Sequence, residues 1–233
     1  ILEYSQALLH IHVVGCLGVF FMDIYKDIQA RTNGEIYMGI VGPVRTGKST
    51  FIKRYMEMMV LPKISDEPSR KRAMDEIPQS SGGKTIMTTE PKSIPKEAAQ
   101  ITLDGVSFRC RLIDCVGYMV NGAEGHVEDG KERLVKTPWY EKEIPFTKAA
   151  EIGTKKVIYD HSTVGIVVTC DGTVTDLPRE AYIEAEQTTI EQLTRLGKPF
   201  VALLNPRRPM ALVTMGLAQE LSEKYNSAVI PLT

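Results

Sequence analysis

The chain has 233 residues, 43% hydrophobic and 24% charged, with a formal net charge of −1. That length suits one good-sized α/β domain, and so even a charge balance excludes a global electrostatic attraction to nucleic acid. The four cysteines, Cys16, Cys110, Cys115 and Cys170, form no C-x-x-C pair and read as small buried thiols of a reducing compartment.

Residues 1–21 hold an apolar run, ALLHIHVVGCLGVFF, whose fifteen residues fall short of a bilayer span of roughly 20 residues. No Lys or Arg precedes it, so it lacks the basic start of a signal peptide. Met22 then opens a stretch that reads as the start of a soluble protein. Residues 1–21 are expected to be a non-native or upstream extension, with a short membrane-associating or partner-binding segment as the rival reading. His10 and His12 have no further ligand nearby and do not suggest a metal site.

A short helix is expected at 23–33. Residues 35–41 form a compact apolar run that ends at the Gly-rich loop, which reads as a buried strand. Residues 48–60 carry Phe51, Ile52, Tyr55, Met56 and Met59 at helical spacing. Between them stands GPVRTGKS, which fits the phosphate-loop pattern G-x-x-x-x-G-K-[ST] in its proper strand–loop–helix setting. Residues 61–98, rich in Pro, Ser, Gly and charge, read as a long loop with at most one helical turn. Two strand-like runs then flank Asp104-Gly105, a strong hairpin signal, and the second, 106–113, ends at Asp114. Residues 118–155 read as a second long irregular segment. A strand at 164–169, a helix at 180–196, a strand ending at Asn205, a helix at 217–225 and a short final strand complete the chain. Strands alternating with helices predict a three-layer α/β/α domain whose mostly parallel sheet has one antiparallel strand. This is the architecture of a P-loop NTPase.

The phosphate loop assigns roles by chemistry. Backbone N–H groups of Gly42, Val44, Arg45, Thr46, Gly47 and Lys48 would line a concavity for phosphate oxygens, with Pro43 lending shape alone. Ser49 and Thr50 open the helix whose N-terminus favours an anion. Lys48 would reach the β- and γ-phosphates, and the Ser49 hydroxyl would ligate Mg²⁺. Asp114 opens D-x-x-G, DCVG, at the end of a strand, placed to hold Mg²⁺ through water. Gly117 would offer a backbone N–H to the γ-phosphate. Thr88 and Thr89, in GGKTIMTTEP, are candidates for a threonine that ligates Mg²⁺ and senses the γ-phosphate, and the sequence does not choose between them.

These motifs resemble the translation-factor-related GTPase class of P-loop proteins. That resemblance implies a fourth motif, N-K-x-D or T-K-x-D, whose acid reads guanine. In its place stand Asn205, Pro206, Arg207 and Arg208, so the guanine-reading acid is missing and the site is open to ATP. The class also places glutamine after D-x-x-G, where this chain has Tyr118. Arg45 is the candidate replacement: G-x-x-R-x-G-K-[ST] resembles the loop of guanylate-binding proteins and atlastins, whose arginine acts as a finger in cis. The alternative is an outward Arg45 paired with an acid of a neighbouring loop.

Longer stretches, MDIYKDIQART, TIMTTEPK, RLIDCVGYMV, TPWYEKEIPF and DHSTVGIVVTCDGTVTDLPREAYIEAEQ, resemble the stage IV sporulation protein A family of spore-forming Firmicutes. The resemblance implies an ATPase of the mother-cell cytoplasm that uses ATP and Mg²⁺. It implies self-polymerisation into the base layer of the spore coat around the forespore. A small amphipathic membrane-anchoring peptide, other coat proteins and, indirectly, the forespore membrane are the implied partners, with no nucleic acid. It carries catalytic or ligand roles onto Lys48, Ser49, Thr88, Thr89 and Asp114. The family continues into a middle and a C-terminal domain, and NPRRPMALVTMG departs from its pattern. A GTPase-type regulatory switch is the alternative function.

Overall fold

The computed structural model describes residues 34–78, 90–103, 106–128 and 130–233. The expected helix at 23–33, the segment 1–21, Cys16, His10, His12, the Asp104-Gly105 turn, Thr88 and Thr89 lie outside the described residues. Strand β1 (Glu35–Val41) is buried along nearly its whole length. Its side chains alternate between two apolar layers, as a strand's period of two requires. Ile36, Met38 and Ile40 enter one layer, and Val41 enters the other.

Around β1 lie β2 (Lys92–Leu103), β3 (Val106–Asp114), β8 (Val164–Cys170), β9 (Phe200–Asn205) and β10 (Val229–Pro231). Their spatial order is β10-β9-β8-β1-β3-β2. Every neighbouring pair is parallel except β2 and β3. A parallel sheet must be covered on both faces. One face packs under α1 (Lys48–Tyr55) and α2 (Glu67–Asp75), where Ile52, Met56, Val60 and Ala73 meet Cys110, Leu112, Ile166 and Val168. The other packs under α4 (Glu180–Arg195) and α5 (Leu212–Tyr225), where Tyr182, Leu193 and Leu221 meet Val167, Ala202 and Leu204. The α/β/α sandwich with one antiparallel strand is the expected architecture.

Four expectations need correction. The stretch 61–98 is not a loop with one helical turn: it holds α2, and β2 already starts at Lys92. Asp66 caps α2 by accepting from Ser69 N at 2.8 Å, but only Ala73 of that helix is buried, so no apolar stripe marked it. Pro95 hides the start of β2. It sits where the ladder to β3 shifts register between Ile94 and Ala99, which a proline tolerates on an edge strand.

The segment 118–155 is also structured. It forms two small hairpins, β4 (Val127–Glu128) with β5 (Lys131–Glu132) and β6 (Leu134–Thr137) with β7 (Tyr140–Pro145), then α3 (Phe146–Lys156). The first two strands are too short to show a period, and the other two bury only Thr137 and Ile144. Helix α5 starts at Leu212 rather than 217, and its first apolar residues, Leu212 and Val213, are 91% and 85% exposed, so no buried stripe marks that start. Helix α1 ends at Tyr55, and residues Met56–Val60 continue it as a wider π turn. Among the described residues, no helix is long and apolar enough to cross a membrane.

The register positions the site. Ile40 pairs with Asp114, and Cys170 with Asn205. The carboxyl ends of β1, β3, β8 and β9 therefore lie together at one edge of the sheet. That edge is where open α/β sheets bind ligands.

Candidate active site

The phosphate loop leaves β1 at Val41 and enters α1 at Lys48. Gly47, at φ 95°, turns the chain into the helix, and no side chain caps the first-turn N–H groups. Those donors are left for an anion. Thr46 Oγ1 donates to Pro43 O at 3.0 Å across the loop. The segment after Asp114 clamps it from one side, with Val44 N donating to Tyr118 O at 2.9 Å and Tyr118 N to Gly42 O at 3.2 Å. Asn205 clamps it from the other, its Nδ2 donating to Thr46 O at 3.0 Å. Val44 departs from its expected part in the cradle: its N–H is taken by Tyr118 and its side chain is buried in the core.

Lys48 is 5% exposed, and its Nζ donates to Pro43 O at 2.5 Å and to Gly42 O at 3.4 Å. Burial pushes its pKa down, against the pull of Cys115 and Asp114. An ammonium held by two carbonyls in a dry setting gains strongly from a polyanion. Asp114 takes the Ser49 hydroxyl on Oδ2 at 3.2 Å. Its other oxygen, Oδ1, is buried with no hydrogen-bond partner. Burial raises the Asp114 pKa, and Lys48 and the Ser49 hydroxyl oppose that. A buried carboxylate oxygen lacking a partner, beside a serine hydroxyl, is a hard oxygen pair that suits Mg²⁺. Among the described residues, no group of three or more His, Cys, Asp or Glu gathers to hold a metal by protein ligands alone. Magnesium bound to one or two protein oxygens and to phosphate oxygens is the ordinary alternative.

Gly117 stands against Lys48. A Cβ added there would fall 2.2 Å from Gly42 O and 2.5 Å from Lys48 Nζ, and its φ of 97° favours glycine. Its N–H donates to Thr154 Oγ1 at 3.1 Å. Tyr118, in the position of the usual glutamine, turns away from the phosphate side. Its hydroxyl donates to Gln192 Oε1 on α4 at 2.6 Å, and it is only 8% exposed. The residue after D-x-x-G therefore packs the core and anchors the loop through its backbone.

Arg45 sits at φ 61°, with its guanidinium 4.0 Å from the Asp176 carboxylate. This is the second of the two arrangements open to it from sequence. Asp176 belongs to the loop between β8 and α4, which Arg179 holds in place. Arg179 pairs with the fully buried Glu186 at 2.6 and 2.7 Å and donates to Thr169 Oγ1 and Cys170 O. Tyr225 donates to the same carboxylate at 2.5 Å. Sequence reading passed over Thr154, Asp176 and this ion pair. Only the pair left a signal: Arg179 and Glu186 stand seven residues apart, two helical turns on one face. Thr50 is exposed in the first turn of α1.

The assembled groups suit a polyphosphate and a hard cation, and among the described residues they include no evident general base. The profile of the family described as stage IV sporulation protein A, ATPase domain, matches residues 21–233. The chain belongs to that family. Stage IV sporulation protein A of Bacillus subtilis (strain 168) is 54% identical over 213 residues, covering 91% of this chain and 43% of that protein. Its counterpart in Clostridioides difficile (strain 630) is 54% identical over 211 residues, covering 90% and 43%. The chain thus spans less than half the length of these relatives. Among solved structures, a variant of SsGBP superposes with a TM-score of 0.44 and 17% identity, over 92% of this chain and 54% of that one.

An ATPase domain is in keeping with the end of β9. Asn205 uses its amide on the loop backbone, and Arg207 N donates to Thr173 Oγ1 at 2.8 Å. The residues that follow Asn205, from Pro206 to Met210, include no acid to pair with guanine.

Proposed function

We propose that this chain binds ATP with Mg²⁺ at the loop Gly42 to Thr50, hydrolyses it slowly, and couples hydrolysis to self-assembly. In this reading the assembly is the base layer of the spore coat, built in the mother-cell cytoplasm at the forespore surface. The observation that carries the reading is the group Lys48, Ser49 and Asp114, gathered at the carboxyl edge of the sheet. Asp114 Oδ1 is left without a partner there. The family's ATPase-domain description and the names of its curated relatives support the sporulation half of the proposal.

Magnesium, held by Ser49, by Asp114 directly or through water, and by Thr88 or Thr89, would neutralise charge on the phosphate oxygens. Lys48 would exchange its two carbonyl partners for β- and γ-phosphate oxygens. Asn205 and Tyr118 would hold the loop rigid while it does so, which is the positional share of catalysis. Arg45 would leave Asp176 and meet the charge that develops on the γ-phosphoryl group. With no general base evident among the described residues of the site, turnover would be slow. Self-assembly with further copies, and contact with a membrane-anchoring amphipathic peptide and coat proteins, are the proposed partnerships. Slow Mg²⁺-dependent phosphate release from ATP, lost in Lys48→Ala, with sedimentation that depends on ATP, tests both halves. A chain that sediments equally without nucleotide contradicts the coupling. A Lys48→Ala variant that still binds ATP like the parent contradicts the site.

A further inference from the structure

Gly117 N–H is a single donor in a buried place, and such a donor must have an acceptor. Its present acceptor is Thr154 Oγ1 at 3.1 Å, on a residue with no solvent exposure. The Thr154 hydroxyl spends its own proton on Ala150 O at 2.8 Å, so toward Gly117 it acts only as acceptor. That geometry is fixed by α3, in which both Ala150 and Thr154 lie. The direction in which a Cβ would leave Gly117, meanwhile, runs into Lys48 Nζ and Gly42 O, at the phosphate side of the loop. Rotation of the Val116–Gly117 peptide would turn the N–H from the first direction toward the second, and glycine at φ 97° gives that peptide freedom on the Gly117 side.

We propose that Thr154 is a positioning residue: it receives the Gly117 N–H whenever no γ-phosphate faces it, and so sets the preference of this site between triphosphate and diphosphate. The inference rests on the reading that Gly117 N–H meets the γ-phosphate. Thr154 and the γ-phosphate then compete for one donor. With Thr154 present, a diphosphate costs nothing at Gly117, because the N–H returns to the threonine. With the hydroxyl removed, every state lacking a γ-phosphate leaves that N–H with only the Cys115 sulfur, a weak acceptor, and the triphosphate gains in relative affinity. The release of Thr154 also gives α3, and the hairpins β4–β5 and β6–β7 that lead into it, a direct report of whether the γ-phosphate is bound.

The test measures binding of ADP and of the β,γ-imido analogue of ATP, both with Mg²⁺, by the full chain and by Thr154→Val and Thr154→Ser. Losing the acceptor should move the analogue-to-ADP affinity ratio roughly 10-fold toward the analogue in Thr154→Val. Thr154→Ser, which keeps the hydroxyl, should retain the parent ratio. An unchanged ratio in Thr154→Val overturns the inference. A second measurement needs no variant: the Gly117 amide and Thr154 methyl resonances of the labelled parent, with ADP and then with the analogue. Movement of both supports the proposal. Movement of Gly117 alone overturns the role of Thr154, and movement of neither overturns the γ-phosphate reading beneath it.

Discussion

Ser49 and Asp114, 65 positions apart in the chain, meet through a hydroxyl–carboxylate hydrogen bond of 3.2 Å that leaves the second carboxylate oxygen buried and unpartnered. Desolvation of this carboxylate raises its pKa, which Lys48 and the Ser49 hydroxyl oppose only in part, so its charge is held at a cost. Asp114→Asn removes the charge and keeps the shape. The variant should melt at the parent temperature or a few degrees above it, while Mg²⁺-dependent hydrolysis falls at least about 100-fold. Thermal melts and phosphate release on one preparation check this, and a variant that hydrolyses ATP at the parent rate contradicts the assignment of Asp114.

Arg45 and Asp176 form an ion pair whose carboxylate side chain is 85% exposed, so the pair holds only weakly. Arg45→Ala should lower turnover by about 10³-fold or more, the scale of an arginine finger, with ATP affinity little changed. Asp176→Asn should raise turnover by no more than about 5-fold, since an exposed pair stabilises by at most about 1 kcal/mol. Steady-state hydrolysis alongside equilibrium binding separates the two effects. Unchanged turnover in Arg45→Ala means that the arginine remains an outward surface group.

Tyr118→Phe deletes the hydroxyl that donates to Gln192 but leaves the backbone clamp on the phosphate loop. Stability should drop by about 1 kcal/mol, and by more if Gln192 finds no new partner. Turnover should stay within about 2-fold, because this side chain does not face the phosphates. Chemical denaturation and a hydrolysis assay measure the pair of outcomes, and a large loss of turnover at unchanged stability contradicts the structural role.

Glu186 is fully buried between Arg179, Thr169 and Tyr225. Arg179→Ala leaves that carboxylate without its main partner and should cost about 3–5 kcal/mol. Because Arg179 also holds the Asp176 loop through Cys170 O, exposure of that loop to protease should increase in the same variant. Urea denaturation and limited proteolysis test this together.

At the far end of β1, burial alone would raise the Glu35 pKa. The Tyr37 hydroxyl and the Arg111 and Arg109 guanidiniums outweigh it and hold the carboxyl below its usual value. A lowered folded-state pKa gives stability that is present above the unfolded value, near 4.3, and is lost as pH falls through the folded one. Glu35→Gln should therefore be less stable than the parent by about 1 kcal/mol at neutral pH. The gap should narrow below about pH 4. Denaturant melts at several pH values follow it.

Sequence reading reached the parts of the molecule where local chemistry and burial agree. The run Glu35–Val41 is apolar because a central parallel strand is covered on both faces, and GPVRTGKS is recognisable because phosphate binding needs backbone N–H groups at fixed spacing. It failed where burial leaves no periodic trace. Helix α2 buries only Ala73, Pro95 disguises an edge strand, and β4 and β5 have two residues each. Within the site, Lys48, Ser49 and Asp114 were legible from their motifs. The partners of Gly117, Tyr118 and Arg45 were not, because Thr154, Gln192 and Asp176 reach them through folding from 37, 74 and 131 positions away.

The central claim is that Lys48, Ser49 and Asp114 bind and hydrolyse Mg-ATP rather than Mg-GTP. The most direct measurement is competition: ATP and GTP, each with Mg²⁺, displacing a fluorescent ATP analogue from the full chain and from Lys48→Ala. The account predicts that ATP displaces at much lower concentration than GTP and that Lys48→Ala does not bind the analogue. Displacement by GTP at the lower concentration contradicts it and points to a GTP-driven switch.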